Sequence, residues 1–349
     1  MAGFFVVQRK SLLTLLVSIL IAGVFMWWAL QGLDVNAVSG YFIQADLRYV
    51  LLAAFFGLLA YWLRAVRWNI LLEPMGYKVK STNALWSISF GYLMNLTIPR
   101  SGEIARATAL YGTDKVPADR SFGTIILERV VDLLCMVVFL VLVLVFRYEA
   151  IFSFYKYANV ERNPNIGGLQ WFIPAVLVGA LLGGIVFIWF RNRFTNIPIL
   201  GKLYALYDGV MDGLTAIARL KRPIMFVIYT IAIWVCYFLA SYIVCFSLPQ
   251  TSDFQLADGL FLLVVGTLGM IIPASGGIGA FHLAMKIGVG ALFISQGKDM
   301  HEGFAVGLAY GFISHTLQLF LFLLMGFLSI PFLAKARNSA NLQQSQFQE

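Results

Sequence analysis

TIPRSGEIARATAL, Thr97 to Leu110, interrupts a long apolar segment with a Pro-Arg-Ser-Gly break and sets Arg100, Glu103 and Arg106 around it. A second stretch, IIPASGGIGAFHLAM from Ile271 to Met285, has the same framework. Ile98-Pro99-x-Ser101-Gly102-x-Ile104 matches Ile272-Pro273-x-Ser275-Gly276-x-Ile278 at five of seven positions, at an offset of 174 in a chain of 349. The break falls at the same place in each half and the apolar segments around it correspond. The sequence therefore reads as an internal duplication.

Working outward, the chain is 60% hydrophobic and 12% charged, with a mean hydropathy of +0.82. Soluble domains carry about a quarter charged residues, so this is the composition of an integral membrane protein. The net charge of +8 comes from short basic loops, which act as topology signals and attract anionic lipid. No nucleic-acid patch is formed. Cys135, Cys236 and Cys245 lie within apolar segments without metal-ligand spacing and read as small core residues. No cofactor motif, nucleophile elbow or phosphate-cradling loop appears.

A spanning helix needs about 20 mainly apolar residues. Leu12–Leu30, Leu47–Val66, Phe122–Phe146, Trp171–Phe190, Ile224–Phe246 and Phe304–Leu333 qualify. Ala84–Ile98 and Leu256–Ile272 each run into a break and resume, as Glu103–Tyr111 and Ile278–Ile294. Arg9 and Lys10, the basic loops after the second and fourth spans, and Lys335 with Arg337 place both termini in the cytoplasm by the positive-inside rule. Six spans satisfy this only if each broken segment returns to the side it entered from. The expected fold is thus an all-α polytopic membrane protein, six spanning helices plus two opposed re-entrant hairpins in an inverted repeat. Its single transmembrane domain covers residues 1–333, with repeats at about 11–146 and 171–333, and residues 334–349 form a disordered cytoplasmic tail. Gly201–Leu220 has helical apolar spacing and is expected along the inner interface.

Inverted repeats with broken helices are a transporter architecture, with the site where the breaks meet. Irregular backbone at membrane depth is tolerated only when it is buried in protein or lines a wet cavity. The helix restarting after Pro99 should point free amides of Ser101, Gly102 and Glu103 at an anion, as helix N-termini do. Arg100 adds a two-pronged donor matched to phosphate, and Arg106 is one turn from Glu103 and could pair with it. In the second break Pro273, Ser275, Gly276 and Gly277 allow close backbone approach without a charge. In LERVVD, Glu128 and Asp132 share a helix face and Arg129 projects about 100° away. These could pair with Arg64, Arg67, Arg100 or Arg106 in a buried network, and such a network serves helix joining and function equally well. Arg64 and Arg67 read either as headgroup anchors flanked by Trp62 and Trp68 or as the entry point for a lipid phosphate. His282 and His315 read as polar residues satisfied in helix interfaces, with His315 and Gln318 placed to line the cavity, and His301 as a loop residue.

LRAVRWNILLEPMG, NLTIPRSGEIARATAL, FGTIILERVVDLL and IIPASGGIGAFHLAM together resemble the flippase-like membrane domain of lysylphosphatidylglycerol synthases, the multiple peptide resistance factor family. The resemblance runs from the second helix to the last. It implies a stand-alone member that moves a phosphate-containing lipid, aminoacylated or polyprenyl-linked, between the leaflets of the plasma membrane. It also implies no synthase activity, a membrane lipid as partner, and a homodimer by analogy. An ion-coupled transporter of a small soluble anion is the alternative, and an intramembrane lipid-phosphate enzyme a third.

Overall fold

The computed structural model describes residues 2–32, 35–98, 101–153, 208, 211 and 215–346. Ten α-helices lie among them. They are α1 (Ala2–Leu30), α2 (Val35–Gln44), α3 (Leu47–Leu72), α4 (Ser81–Thr97), α5 (Gly102–Asp114), α6 (Ala118–Phe146), α7 (Pro223–Cys245), α8 (Leu256–Ile271), α9 (Ala280–Ser295) and α10 (Met300–Gln346). There is no strand among the described residues. Pro99, Arg100, the expected span Trp171–Phe190 and most of Gly201–Leu220 lie outside them.

The chain is a multi-pass membrane protein. Six helices are long and apolar enough to cross a bilayer, with windows at 13–30, 47–75, 118–146, 223–245, 275–295 and 300–342. Five coincide with spans expected from hydropathy. The sixth is the second arm of the second broken segment, which qualifies because its short 3₁₀ turn runs straight into α9. Along α6, Leu133, Val137, Val141 and Val145 are exposed at intervals of four residues. Such a stripe would be a liability in water; in a bilayer it is the lipid-facing side.

Both breaks follow from proline. The residue before a proline is driven out of the helical region by the clash with the pyrrolidine ring. Ile98 accordingly adopts φ −128°, ψ 114° and ends α4, and Ile272 adopts φ −63°, ψ 130° and ends α8. Each pair then folds back on itself. In α4 and α5, Asn83 Nδ2 donates to Asp114 Oδ2 at 3.0 Å near one end, and Gly91 backs onto Gly102 near the other. In α8 and α9, Gly266 faces Phe281 and Met285, while Gly269 faces Ala280 and Ala284.

An offset of 174 relates the elements as well as the motifs. It carries α3 to 221–246, against an observed Pro223–Cys245, and α4 to 255–271, against Leu256–Ile271. α3 and α7 pack against each other antiparallel. Ser247 O accepts from the Asp46 amide (2.9 Å) at one end, and Glu73 accepts from Arg222 Nη2 (2.8 Å) at the other. The tail expected to be disordered is helical through Gln346. α10 runs on through the expected tail, and Lys115 Nζ donates to Asn341 Oδ1 at 2.8 Å, tying that tail to the end of α5. His301 belongs to the first turn of α10 rather than to a loop.

Candidate functional site

Seven charged residues from three helices meet at the first hairpin. α3 supplies Arg64 and Arg67, α5 supplies Glu103 and Arg106, and α6 supplies Glu128, Arg129 and Asp132. The spacing of LERVVD explains the last set: Glu128 and Asp132 face the same neighbours across one turn. Glu128 is fully buried and stands at the centre. Arg106 Nη1 donates to its Oε2 at 2.7 Å, while Arg67 Nε and Arg64 Nη2 lie 3.8 and 3.9 Å from its two oxygens. Asp132 Oδ1 accepts from both terminal nitrogens of Arg67 at 3.1 and 3.2 Å.

The partners of the arginines come from elsewhere. Arg64 Nη1 donates to Tyr237 Oη at 3.0 Å and Arg67 Nη1 to Thr230 Oγ1 at 3.3 Å, both on α7. The Arg106 guanidinium lies 3.6 Å over the Trp68 ring, whose Nε1 donates to Thr124 at 2.8 Å. This stack fixes the guanidinium plane and leaves its edge as the reactive surface.

Among the described residues, three buried guanidiniums thus share two carboxylates, Glu128 and Asp132, and this buried cluster carries one net positive charge. It is also short of acceptors. Arg64 Nε, Arg67 Nε, and Arg106 Nε and Nη2 are buried without a hydrogen bond among the described residues. Buried polar groups are normally satisfied, so each such donor asks for an explanation. A small cleft of about 20 Å³ lies beside Arg64 and Arg106, lined also by Tyr92, Asn95, Gly102, Glu103 and Arg129. An oxyanion in this cleft would supply the missing acceptors and the missing negative charge.

Three expectations need correction. Arg106 does not pair with Glu103: it turns to Glu128, where burial strengthens the attraction, and Glu103 stands 4.0 Å from Arg129 at the half-exposed rim. Arg64 and Arg67 are not headgroup anchors at the surface, being 4% and 0% exposed. The amides at the restart of α5 are not all free. The Gly102 amide donates to Asn95 Oδ1 at 2.7 Å and that of Ser101 to Ile98 O at 3.1 Å, so Asn95 occupies the capping role expected of a ligand. Asn95 itself went unnoticed in the sequence. Arg100 falls outside the described residues.

The second break does not join the charged cluster but meets the end of α4. Ser275 Oγ donates to Leu96 O at 3.0 Å, and Gly276 sits against Leu96 and Leu319. Gly276, Gly277 and Gly279 all have left-handed φ, between 60° and 82°. At Gly279 a side chain would also strike α1, whose Ala22 carbonyl and Met26 amide (2.5 Å) approach the missing Cβ. Among the described residues no group of three His, Cys, Asp or Glu is placed to share a metal.

Residues 15–326 match the lysylphosphatidylglycerol synthase TM region. The chain belongs to that family. Among curated proteins it is 24% identical over 314 residues to the glycosyltransferase AglD of Haloferax volcanii, covering 82% of this chain and 50% of that one. It is 24% identical over 137 residues to a UPF0104 membrane protein of Pyrococcus horikoshii, 38% of this chain and 40% of the other. A UPF0104 membrane protein of Methanocaldococcus jannaschii is 29% identical over 126 residues, 35% and 36% respectively. The chain thus spans half or less of the length of these relatives in the matched regions. No solved structure matches it.

Proposed function

We propose that this protein moves a phosphate-bearing lipid between leaflets, binding the headgroup in the cleft beside Arg64 and Arg106. One observation carries the reading: among the described residues, a buried cluster with one net positive charge in which Arg64 and Arg106, with three unpaired guanidinium nitrogens between them, line an open cleft. Guanidinium forks match phosphate oxygens in geometry and charge. In this reading Gly102, Glu103 and Arg129 complete the wall, Arg67 and Asp132 hold the cluster in place, and the acyl chains stay in the bilayer. Membership of a family defined on a lipid-synthase membrane region, together with a relative named as a glycosyltransferase, supports a lipid substrate.

The antiparallel packing of α3 and α7, which the offset of 174 relates, supports opposed repeats. Pro273, Ser275, Gly276 and Gly277 are then the neutral half of the path. Both termini lie in the cytoplasm and the chain in the plasma membrane, and it acts without a synthase activity of its own.

The test is translocation of a fluorescent phospholipid in proteoliposomes, read by quenching of the outer leaflet. The wild type should expose label that empty vesicles protect, and Arg106→Gln should slow this at least tenfold. A wild type that moves inorganic phosphate but no lipid would assign the chain to soluble anions instead.

A further inference from the structure

His282 on α9 and His315 on α10 form a second buried polar group that the charged cluster does not use. They are 3% and 1% exposed. Their ring centroids are 5.1 Å apart, with Phe281 stacked on His315 at 4.9 Å and Phe312 against His282 at 4.3 Å. His282 Nδ1 accepts from the Gly279 amide at 3.3 Å, which places the proton of the neutral ring on Nε2. Among the described residues, the polar groups nearest the His315 nitrogens are the Gln318 side chain and the Gly276 backbone, neither in close hydrogen-bond geometry. Both histidines thus stand in helix interfaces with neutral polar neighbours, His282 beside the Gly279 amide and His315 beside Gln318 and Gly276.

The pair stands directly behind the second break. His315 Cε1 is 3.6 Å from where a Gly277 Cβ would be, Gly276 touches Leu96, and Leu96 follows Asn95, which lines the anion cleft. A short chain of contacts thus links the arginine cluster to the imidazoles. The charged groups on the elements packed around the pair are otherwise engaged or distant. Lys286 on α9 donates to Ala29 O and Gln31 O at 3.0 and 2.9 Å, Asp258 on α8 is held by Arg147, and Glu302, Lys335 and Arg337 on α10 are exposed. The described side chains of α1, α2 and α4 include no carboxylate, ammonium, guanidinium or imidazole, and Tyr41 and Tyr92 are their titratable groups.

An imidazolium in this setting would be a buried charge with no opposite charge beside it among the described residues, which is costly. It becomes tolerable only when an anion stands beside it. We propose that His315, with His282 next to it, is a proton-binding site that charges as the anionic headgroup passes the second break, so that lipid phosphate and proton cross together. A ring nitrogen takes the proton from water on one side and returns it to water on the other, and no bond of the lipid is made or broken. This rests on the headgroup reading given above. It adds what that reading lacks, a neutralising group on the half of the path that has no arginine.

The test is calorimetric titration of the full-length protein in detergent at about pH 6.5 with dihexanoylphosphatidylglycerol, in two buffers of different ionisation heat. It reads binding and proton uptake together. The expected result is about one proton taken up per lipid bound, the capacity of one imidazole, falling close to zero per lipid bound in His315→Gln. His282→Gln, which keeps a polar side chain at the neighbouring position, should lower the ratio as well. Binding by the wild type without proton uptake, or unchanged uptake per lipid in His315→Gln, would overturn the proposal. A wild type that binds no lipid would instead overturn the headgroup reading, and this one with it.

Discussion

Glu128 holds three arginines at once, and the consequences of removing either side of that arrangement are unequal. Glu128→Gln leaves Arg64, Arg67 and Arg106 buried with Asp132 as their sole acid in the cluster. Breaking a buried ion pair from one side costs about 3–5 kcal/mol, so this variant should show a large loss of thermal stability in detergent. Arg106→Gln is milder, because Glu128 keeps two guanidiniums at 3.8 and 3.9 Å. It should stay folded while losing the edge that faces the cleft. Equal destabilisation by the two variants would show that Arg106 is held for structure alone. Much of this cluster was legible in the sequence: charges in a helix break and deep in an apolar span can only gather where they satisfy one another. Which acid each arginine takes was not. Arg106 stands one turn from Glu103, but spacing along a helix says nothing of a carboxylate arriving from another helix, and Tyr237, Thr230 and Asn95 reach the cluster through tertiary contact alone.

At the scale of elements, two contacts set where helices stand. Gly91 lets α4 and α5 close on each other; a Cβ there would lie 2.7 Å from Gly102 O, a backbone atom that cannot swing away. Gly91→Ala should therefore splay the hairpin, costing about 1–3 kcal/mol of stability and weakening headgroup binding, which calorimetry with a short-chain phospholipid would read. Lys286 secures α1 in a different way. Its ammonium satisfies two carbonyls at the end of that helix, in a place where the last C=O groups have no partner of their own. Lys286→Met should leave them bare, and amide hydrogen exchange around residues 29–32 should rise by tenfold or more, with α3 and α7 unchanged. No increase would mean that α1 is held by its apolar contacts with α9. Lys286 was invisible in the sequence, where one lysine in an apolar helix has no stated partner. The ends of α4 and α8 were plain, because a proline dictates the residue before it.

For the whole molecule, the antiparallel pairing of α3 and α7 has a direct topological consequence. Gly76 follows the end of α3 and Gln250 the end of α7, so the two lie at opposite ends of the helix pair. In a variant lacking Cys135, Cys236 and Cys245, a cysteine at Gly76 should label from the cytoplasmic side and one at Gln250 from outside. Labelling of both from one side would contradict the inverted arrangement. The halves share a framework and differ in charge: arginines crowd the first break, and neutral glycines with a histidine pair stand at the second. Native mass spectrometry of lipids retained by the purified wild type and by Arg106→Gln tests the central claim most directly. The account predicts an anionic phospholipid class enriched on the wild type and lost from the variant. Bulk lipid in bulk proportions on both would contradict it.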